Sequence, residues 1–452
     1  MRRKRCFPHW AKHNLDTLLL ACACVLPVAA DLDISCARVQ VPSSASPRHF
    51  VAANDLLLSE LRMRGVATWE LEYGDRFQAN RRASNSSSAV IFLELVASPS
   101  DAPCGRLGNG AESFVVCAKQ PVQPGGLQLP EIIVAARTDR GLVAAVGRLL
   151  REIRIIGRRV TVPPLNLSVD PAPWAAMRGH QVTDWGFYLP DVIFEQHLKE
   201  LIVFGCNQIE FAHITYEPVD DNGVRRNDAA SLVRLSAIVE KYGLGVSIWN
   251  IPWPSAQTEA VFAQMPRVDA LFLEGGSVES LRPAAECLRK FHPNATTWHS
   301  PSGLDANATR AWVDQLAMPS TKSWLSGVVW GPINLGGEMA MLEALPPGYR
   351  VRLYPDLSHT LTAMYPVPDW HFAWAFTEGR QAVNPMPVHH AAIVRTNVNS
   401  SFGSRGAVGF GSYSEGAADD FNKALWAAMY LEPNLSPQEV AAQYCTFHFG
   451  YV

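Results

Sequence analysis

Hydrophobic and polar positions follow two different rhythms along this chain. From about Ile34 to Val169, apolar runs of strand length ("SSAVIFLELVA", "AESFVVCAK", "PEIIVAAR") alternate with polar connections rich in Ser, Pro and Gly. Short apolar runs bounded by turn residues predict β-strands. The segment "TDRGLVAAVGRLLREIRI", Thr138 to Ile155, changes period. There Leu142, Val146, Leu149, Leu150 and Ile153 recur at helical spacing and predict a helix. Strands with a helix packed on one face describe a small α+β domain. The following stretch, "VTVPPLNLSVDPAPW", carries Pro163, Pro164, Pro171 and Pro173 and reads as linker and boundary.

Beyond that boundary eight short apolar runs recur: "AMRGHQVT", "CNQIEFAHI", "LGVSIWNI", "VDALFLEGG", "ATTWHSP", "LSGVVWGP", "RVRLYPDLSH" and "AVGFGSYSEG". Amphipathic stretches such as "YLPDVIFEQHLKELIVFG", "DAASLVRLSAIVEKYG", "SVESLRPAAECLRKFHP" and "ATRAWVDQLA" lie between them. Strands alternating with helices predict a parallel sheet, and eight such units in about 250 residues predict a (β/α)8 TIM barrel. The expected organisation is an α+β domain over residues 31–169, a barrel over 170–432, and a helical segment over 433–452. That last segment, "SPQEVAAQYCTFHFGYV", has no polar tail and reads as the start of a truncated C-terminal piece.

The leading thirty residues alter the picture of where the protein works. Arg2, Arg3, Lys4 and Arg5 precede an apolar run from Leu18 to Ala30 that ends in Val28-Ala29-Ala30. This is the pattern of a secretory signal over residues 1–30, and the run is shorter than the roughly 20 residues a membrane span needs. Its removal takes the formal net charge from −3 to −7. No long basic run survives, so neither nucleic acid nor stable membrane insertion is expected. Six cysteines remain: Cys36, Cys104, Cys117, Cys206, Cys287 and Cys445. None has the close pairing of a zinc site. Cys104 and Cys117 flank a stretch that reads as a hairpin, where a bridge suits an oxidising compartment, while Cys206 sits in an apolar run and reads as a buried thiol. Six N-x-S/T sequons, at Asn85, Asn166, Asn294, Asn307, Asn399 and Asn434, agree with a secreted glycoprotein.

A TIM barrel builds its site where strands end and βα-loops begin, so polar residues there are the candidates. After the first strand stand Arg178, His180, Gln181 and Asp184; after the second, Glu210 and His213; after the third, Trp249, Asn250 and Trp253. Glu274 ends the fourth, Trp298, His299 and Ser300 the fifth, Trp330 and Asn334 the sixth. The seventh offers Tyr354, Asp356 and His359, and the eighth Tyr413, Glu415, Asp419 and Asp420. Aromatic faces stack on sugar rings, and a carboxylic acid with a carboxylate cuts glycosidic bonds. Glu274, Glu415 and Asp356 are therefore the catalytic candidates. Arg178, His180, His213, Trp249, Asn250, Trp298, His299, Trp330, Tyr354, His359, Tyr413 and Asp419 are candidates for holding the substrate.

Several positions admit a plainer role. Arg178 clamps substrate or neutralises Asp184. Glu210 alternates with Ile209 and Phe211, so it points either to the site or to the barrel centre, where an arginine partner would make it structural. Asp356 and His359 form a couple or a turn, and Asp419 or Asp420 caps the last barrel helix. His180, His213, His299 and His359 carry no H-x-H or HExxH pattern, so no metal and no cofactor is predicted.

The layout resembles a known group. A small α+β domain whose last helix is "DRGLVAAVGRLLREI", leading through "PAPWAAMRGHQVTD" (Pro171 to Asp184) into a barrel, is similar to the secreted β-hexosaminidases of glycoside hydrolase family 20. The α-glucuronidases of family 67 share the preceding domain, and uncharacterised microbial barrels resemble the chain through "RLYPDLSHTLTAMYPVPDW" and "SYSEGAADDFNK". The Arg-Gly match implies that Arg178 binds substrate. In the hexosaminidases the fourth strand ends His-x-Gly-Gly-Asp-Glu, and that Asp and Glu carry the reaction. Here the stretch is "LEGGSVES", with Ser277 and Val278 at the acid positions. Glu274 or Glu279 must then substitute, or Glu415 and Asp356 act from other strands. The expectation is a secreted O-glycosyl hydrolase acting on an amino-sugar or uronic-acid glycan. The alternative is a glycan-binding barrel that lost its acid pair.

Overall fold

The computed structural model describes residues 31–42, 50–66, 70–73, 89–119, 129–212, 214, 229–251, 255–274, 277–301, 304–331, 343–358, 385–399, 406–414 and 419–450. The leading segment 1–30 lies outside them. The chain divides into two compact units: Met1–Pro171 with Lys199–Gly205 and Asn434–Val452, and Ala172–Leu198 with Cys206–Pro433.

The first unit is built on a six-stranded sheet in the order Glu70–Tyr73, Ala37–Val41, Ala89–Leu95, Glu131–Ala136, Phe114–Lys119, Leu165–Val169. The first four strands run parallel, and the last two join antiparallel. Ala89 to Leu93 are buried without alternation, as expected for a strand covered on both faces. The helix Asp139–Leu150 lies against Ala136, close enough that a Cβ on Gly141 would stand 3.1 Å from the Ala136 Cβ. Its start is fixed by Thr138, whose hydroxyl accepts the Gly141 N–H at 3.0 Å.

Two expectations need correction in this unit. The helix stops at Leu150, before Ile153, because Arg154–Ile156 turns at Gly157 (φ 59) into a hairpin with Arg159–Val162. The proline-rich stretch holds the unit boundary at Pro171, as expected, but its first half is no linker. Pro163 and Pro164 separate two strands, and the second, Leu165–Val169, forms the edge of the sheet. Proline is tolerated between strands, where no ladder donor is lost.

Cys104 and Cys117 form a disulfide with Cα atoms 6.4 Å apart. It does not staple a hairpin, since Phe114–Lys119 pairs with Glu131–Ala136 and Leu165–Val169. It ties a loop onto the sheet face made by Val90, Phe92, Val115, Ile133 and Ala135. Closing a loop of sequence separation 13 restricts the unfolded chain, so Cys117→Ala is expected to lower unfolding free energy by about 3 kcal/mol. A urea midpoint equal to that of the parent protein would contradict this.

The C-terminal helix Pro437–Phe449 begins with a reciprocal cap between Ser436 and Glu439. Gln443 accepts from Arg151 at 3.2 Å and donates to Glu152 at 3.3 Å, both of which follow the helix Asp139–Leu150.

In the second unit eight parallel strands close into a barrel: Met177–Val182, Gln208–Ala212, Gly245–Trp249, Ala270–Glu274, Thr296–Ser300, Gly327–Trp330, Arg350–Leu353 and Ala407–Phe410. Closure runs through Met177↔Gly409 and Arg178↔Phe410. Each of the eight apolar runs supplies one strand, so the (β/α)8 expectation holds. Helices Asp191–Val203, Ala229–Lys241, Arg282–Phe291 and Ala306–Ala317 fall within or across the amphipathic stretches. Beyond the seventh and eighth strands, Asp356–Ser358 and Tyr413–Ser414 continue as a short parallel pair. Inside, Ala212, Trp249, Ala270, Phe272, Trp298, Val329 and Tyr354 pack together. The Trp298 ring fills the space beside Gly327, where a Cβ would lie 2.3 Å from it. Only glycine leaves room for that indole.

Candidate active site

Side chains alternate sides along a strand, so each barrel strand sends one set inward and the other toward the helices. The inward set meets at a buried ion pair. Arg352 Nη2 donates to Glu210 Oε2, and Ser247 Oγ donates to the same oxygen at 2.7 Å. Both charged side chains are 1% exposed, and the guanidinium lies 5.1 Å from the Phe272 ring centre and 5.7 Å from those of Trp298 and Tyr354. Glu210 thus faces the barrel centre with an arginine partner, the structural branch of the two roles its alternation allowed. Above it stands Tyr354, whose hydroxyl pKa is pushed well above the usual phenol value by burial and then by the Glu210 charge.

At the C-terminal end of the fourth strand the carboxylate of Glu274 is partly exposed. Its position is held from the backbone: the Glu274 N–H donates to Asn250 Oδ1 at 3.0 Å, and the Asn250 N–H donates to the Phe272 carbonyl at 3.0 Å. Asn250 adopts φ 50, the left-handed region, directly after the third strand. Asparagine tolerates that conformation better than most residues, and the bent chain aims its amide across to the next strand. Trp249 stacks on Phe272 (centroids 5.4 Å, planes 17° apart) and meets Tyr354 and Tyr413 edge-on at 5.6 and 5.9 Å. The charge of Glu274 reaches the Tyr354 hydroxyl. Trp249, Asn250, Glu274, Tyr354 and Tyr413, drawn from strands three, four, seven and eight, therefore gather at the C-terminal end of the barrel, Trp249 and Tyr354 buried and Asn250, Glu274 and Tyr413 partly exposed. Asp356 follows the seventh strand and pairs in register with Tyr413, its side chain buried.

Other candidates lie elsewhere, for physical reasons. The Arg178 guanidinium donates to the Ala175 carbonyl, three residues earlier, at 2.6 Å, which turns it toward the N-terminal end of the barrel. That arrangement does not fit the substrate role implied by the Arg-Gly match. His180 and His299 fall on the outward set. His180 lies 2.6 Å from Ser412 Oγ and edge-on to Phe410, and burial, with Lys423 nearby, holds it well below the usual histidine pKa. His299 accepts from Trp312 Nε1 at 2.9 Å on the helix Ala306–Ala317. Trp330 alternates with the inward Val329 and is buried. Trp298 points inward but is sealed in the floor, its Nε1 donating to Thr296 Oγ1 at 2.9 Å. Asp419 is fully buried, 3.0 Å from Lys423 Nζ and accepting from Ser358. It does not cap the helix Asp420–Leu431 through its side chain.

His213, His359 and Glu415 lie outside the described residues, as do Trp253 and Asn334. Of the two substitutes near the glycine pair, Glu279 accepts from Thr321 Oγ1 at 3.0 Å and from Ser320 Oγ at 3.3 Å, which ties it to the short helix Pro319–Lys322. Val278 is completely buried. Glu274 is left as the strand-tip carboxylate at that position. Ser247 and Arg352, which hold Glu210, were not singled out from the sequence. The alternation in "RVRLY" was the only trace of Arg352. Among the described residues no group of three His, Cys, Asp or Glu stands ready to hold a metal ion.

No family model and no curated protein matches the chain by sequence. Solved structures do match by shape. The GH20 exo-β-N-acetylglucosaminidase of Vibrio harveyi superimposes with a TM-score of 0.58 at 11% identity, over 94% of this chain and 74% of that one. The GH20 β-N-acetylhexosaminidase of Streptomyces coelicolor A3(2) does so with a TM-score of 0.53 at 11% identity, over 92% and 88%. At such identities the likeness carries fold and not residue roles, and on that footing the chain has the GH20-type fold, a small αβ domain followed by a closed (β/α)8 barrel.

Proposed function

We propose that this protein is a glycoside hydrolase whose reaction centres on the Glu274 carboxylate. The observation that carries the reading is the placement of Glu274: a partly exposed acid at a strand tip, anchored through Asn250, beside the Trp249–Tyr354–Tyr413 wall. Strand C-terminal ends are where TIM-barrel enzymes do their chemistry, and an acid flanked by aromatic rings can protonate a glycosidic oxygen. Asp356 and Glu415 are the partner carboxylates this reading takes from the following strands. Export through the secretory route, read from residues 1–30, belongs to the same proposal.

The buried Val278 favours one second reading, a barrel that binds glycans without cutting them. A panel of aryl glycosides separates the two. Turnover of at least one member is expected of the folded, full-length protein. Measurable glycan affinity with no turnover would replace the hydrolase reading by the second.

A further inference from the structure

Asn250 uses every polar group it has except one. Its N–H donates to the Phe272 carbonyl at 3.0 Å, its carbonyl accepts the Ile214 N–H at 3.3 Å, and its Oδ1 accepts the Glu274 N–H at 3.0 Å. A backbone N–H can only donate, so the amide oxygen is the atom turned to Glu274 and the NH2 is the other end. Among the described residues that nitrogen has no hydrogen-bond partner, and it is not sealed from solvent. Asn250 is half-buried, with its NH2 on the open side. The Glu274 carboxylate is in the same condition, partly exposed and without a hydrogen-bond or ion-pair partner among the described residues.

One side chain thus ties down the strand tip with its oxygen and offers two N–H donors beside the acid with its nitrogen. Three bonds, to Ile214 just past the second strand and to Phe272 and Glu274 on the fourth, hold that donor in place before any ligand arrives. An amide NH2 donates and never accepts, so it recognises an acceptor oxygen, and being uncharged it needs no anion. A sugar bound with its glycosidic oxygen at Glu274 carries such oxygens on the ring carbons next to that bond. A ligand that covers the NH2 without supplying an acceptor leaves a desolvated donor unpaired, which is how a site rejects an analogue lacking one hydroxyl.

Resting on the reading of Glu274 as the reacting acid, we propose that Asn250 is a specificity-determining residue whose NH2 donates to a ring oxygen of the bound sugar next to the bond being cut. Kinetics of the full-length protein and its variants Asn250→Asp and Asn250→Gly test it, on 4-nitrophenyl α- and β-glycosides of glucose, N-acetylglucosamine and glucuronic acid. Both replacements tolerate φ 50, and a melting curve reports that they fold. Asp keeps an oxygen for the Glu274 N–H but has no NH2, so the plateau of its kcat/KM against pH is expected to fall at least about tenfold. Gly gives up the anchoring oxygen as well and is expected to fall further. Among monodeoxy analogues of the sugar that is turned over, one is expected to cost the parent about tenfold and to cost Asn250→Asp nothing more. An Asn250→Asp plateau equal to that of the parent overturns the assignment and leaves the amide as an anchor alone. A pH profile displaced by the added charge with its plateau unchanged does the same, as does a deoxy penalty of equal size in both proteins. Those results leave Glu274 in its role. Absence of turnover with every glycoside overturns the assignment together with the hydrolase reading.

Discussion

Arg352→Ala is expected to lower the unfolding free energy of the protein by about 3–5 kcal/mol. The variant strands the Glu210 carboxylate in a barrel centre where it is 1% exposed and leaves it only the neutral hydroxyls of Ser247 and Tyr354 as donors. It also removes the guanidinium that fills space against Phe272, Trp298 and Tyr354. Both effects have the same sign. The dominant one is the unpaired charge, which removal of both partners tests. Glu210→Leu with Arg352→Met leaves no buried ion, so that double variant is expected to recover most of the loss. Chemical denaturation of the three proteins measures this. A single variant within about 1 kcal/mol of the parent would mean that solvent reaches the pair.

The second large effect concerns rate rather than stability. Glu274→Gln preserves size and the backbone bond to Asn250 but cannot give or take a proton, and turnover of a cleaved glycoside is expected to fall 10²–10⁴-fold. The loss belongs in kcat, with KM little moved, because the amide still occupies the same mouth beside Trp249 and Tyr413. The carboxylate is partly exposed and spans no buried ion pair among the described residues, so the folded state should tolerate the change. A variant as fast as the parent would remove Glu274 from the reaction and turn attention to Asp356 and Glu415.

Asn250 shows how local chemistry and site geometry join in this fold. A left-handed residue at the end of a strand is uncommon outside glycine, and strain of this kind clusters at functional sites. Here its consequence is visible: the amide crosses to the Glu274 N–H and fixes the strand tip that carries the acid. The sequence marked Asn250 as a polar strand-end residue, but its φ follows from the neighbouring strand and no local pattern announced it.

The eight barrel strands were legible because each is an apolar run between turn signals, and strand length, period and punctuation are properties of neighbouring residues. The strand-end positions of Glu274, Trp249, Asn250, Tyr354 and Tyr413 were legible for the same reason. Arg178, His180, His299 and Trp330 share that description and yet face the wrong end or the helix layer. The linker reading failed at Pro163 and Pro164 because proline marks an interruption without telling whether the chain leaves the sheet or returns to its edge.

Taken alone, the order of residues determined how many strands form, that they alternate with helices, and that carboxylates and aromatics gather where strands end. Only tertiary structure decided which parity of each strand looks inward and how far up the barrel each side chain stands. The physical reason is closure. A strand's alternation has no preferred phase until its neighbours and the helix layer give it an inside, and the stagger between strands sets height. Glu210 became half of a central ion pair because Arg352, 142 positions away, arrives opposite it when the eighth strand meets the first.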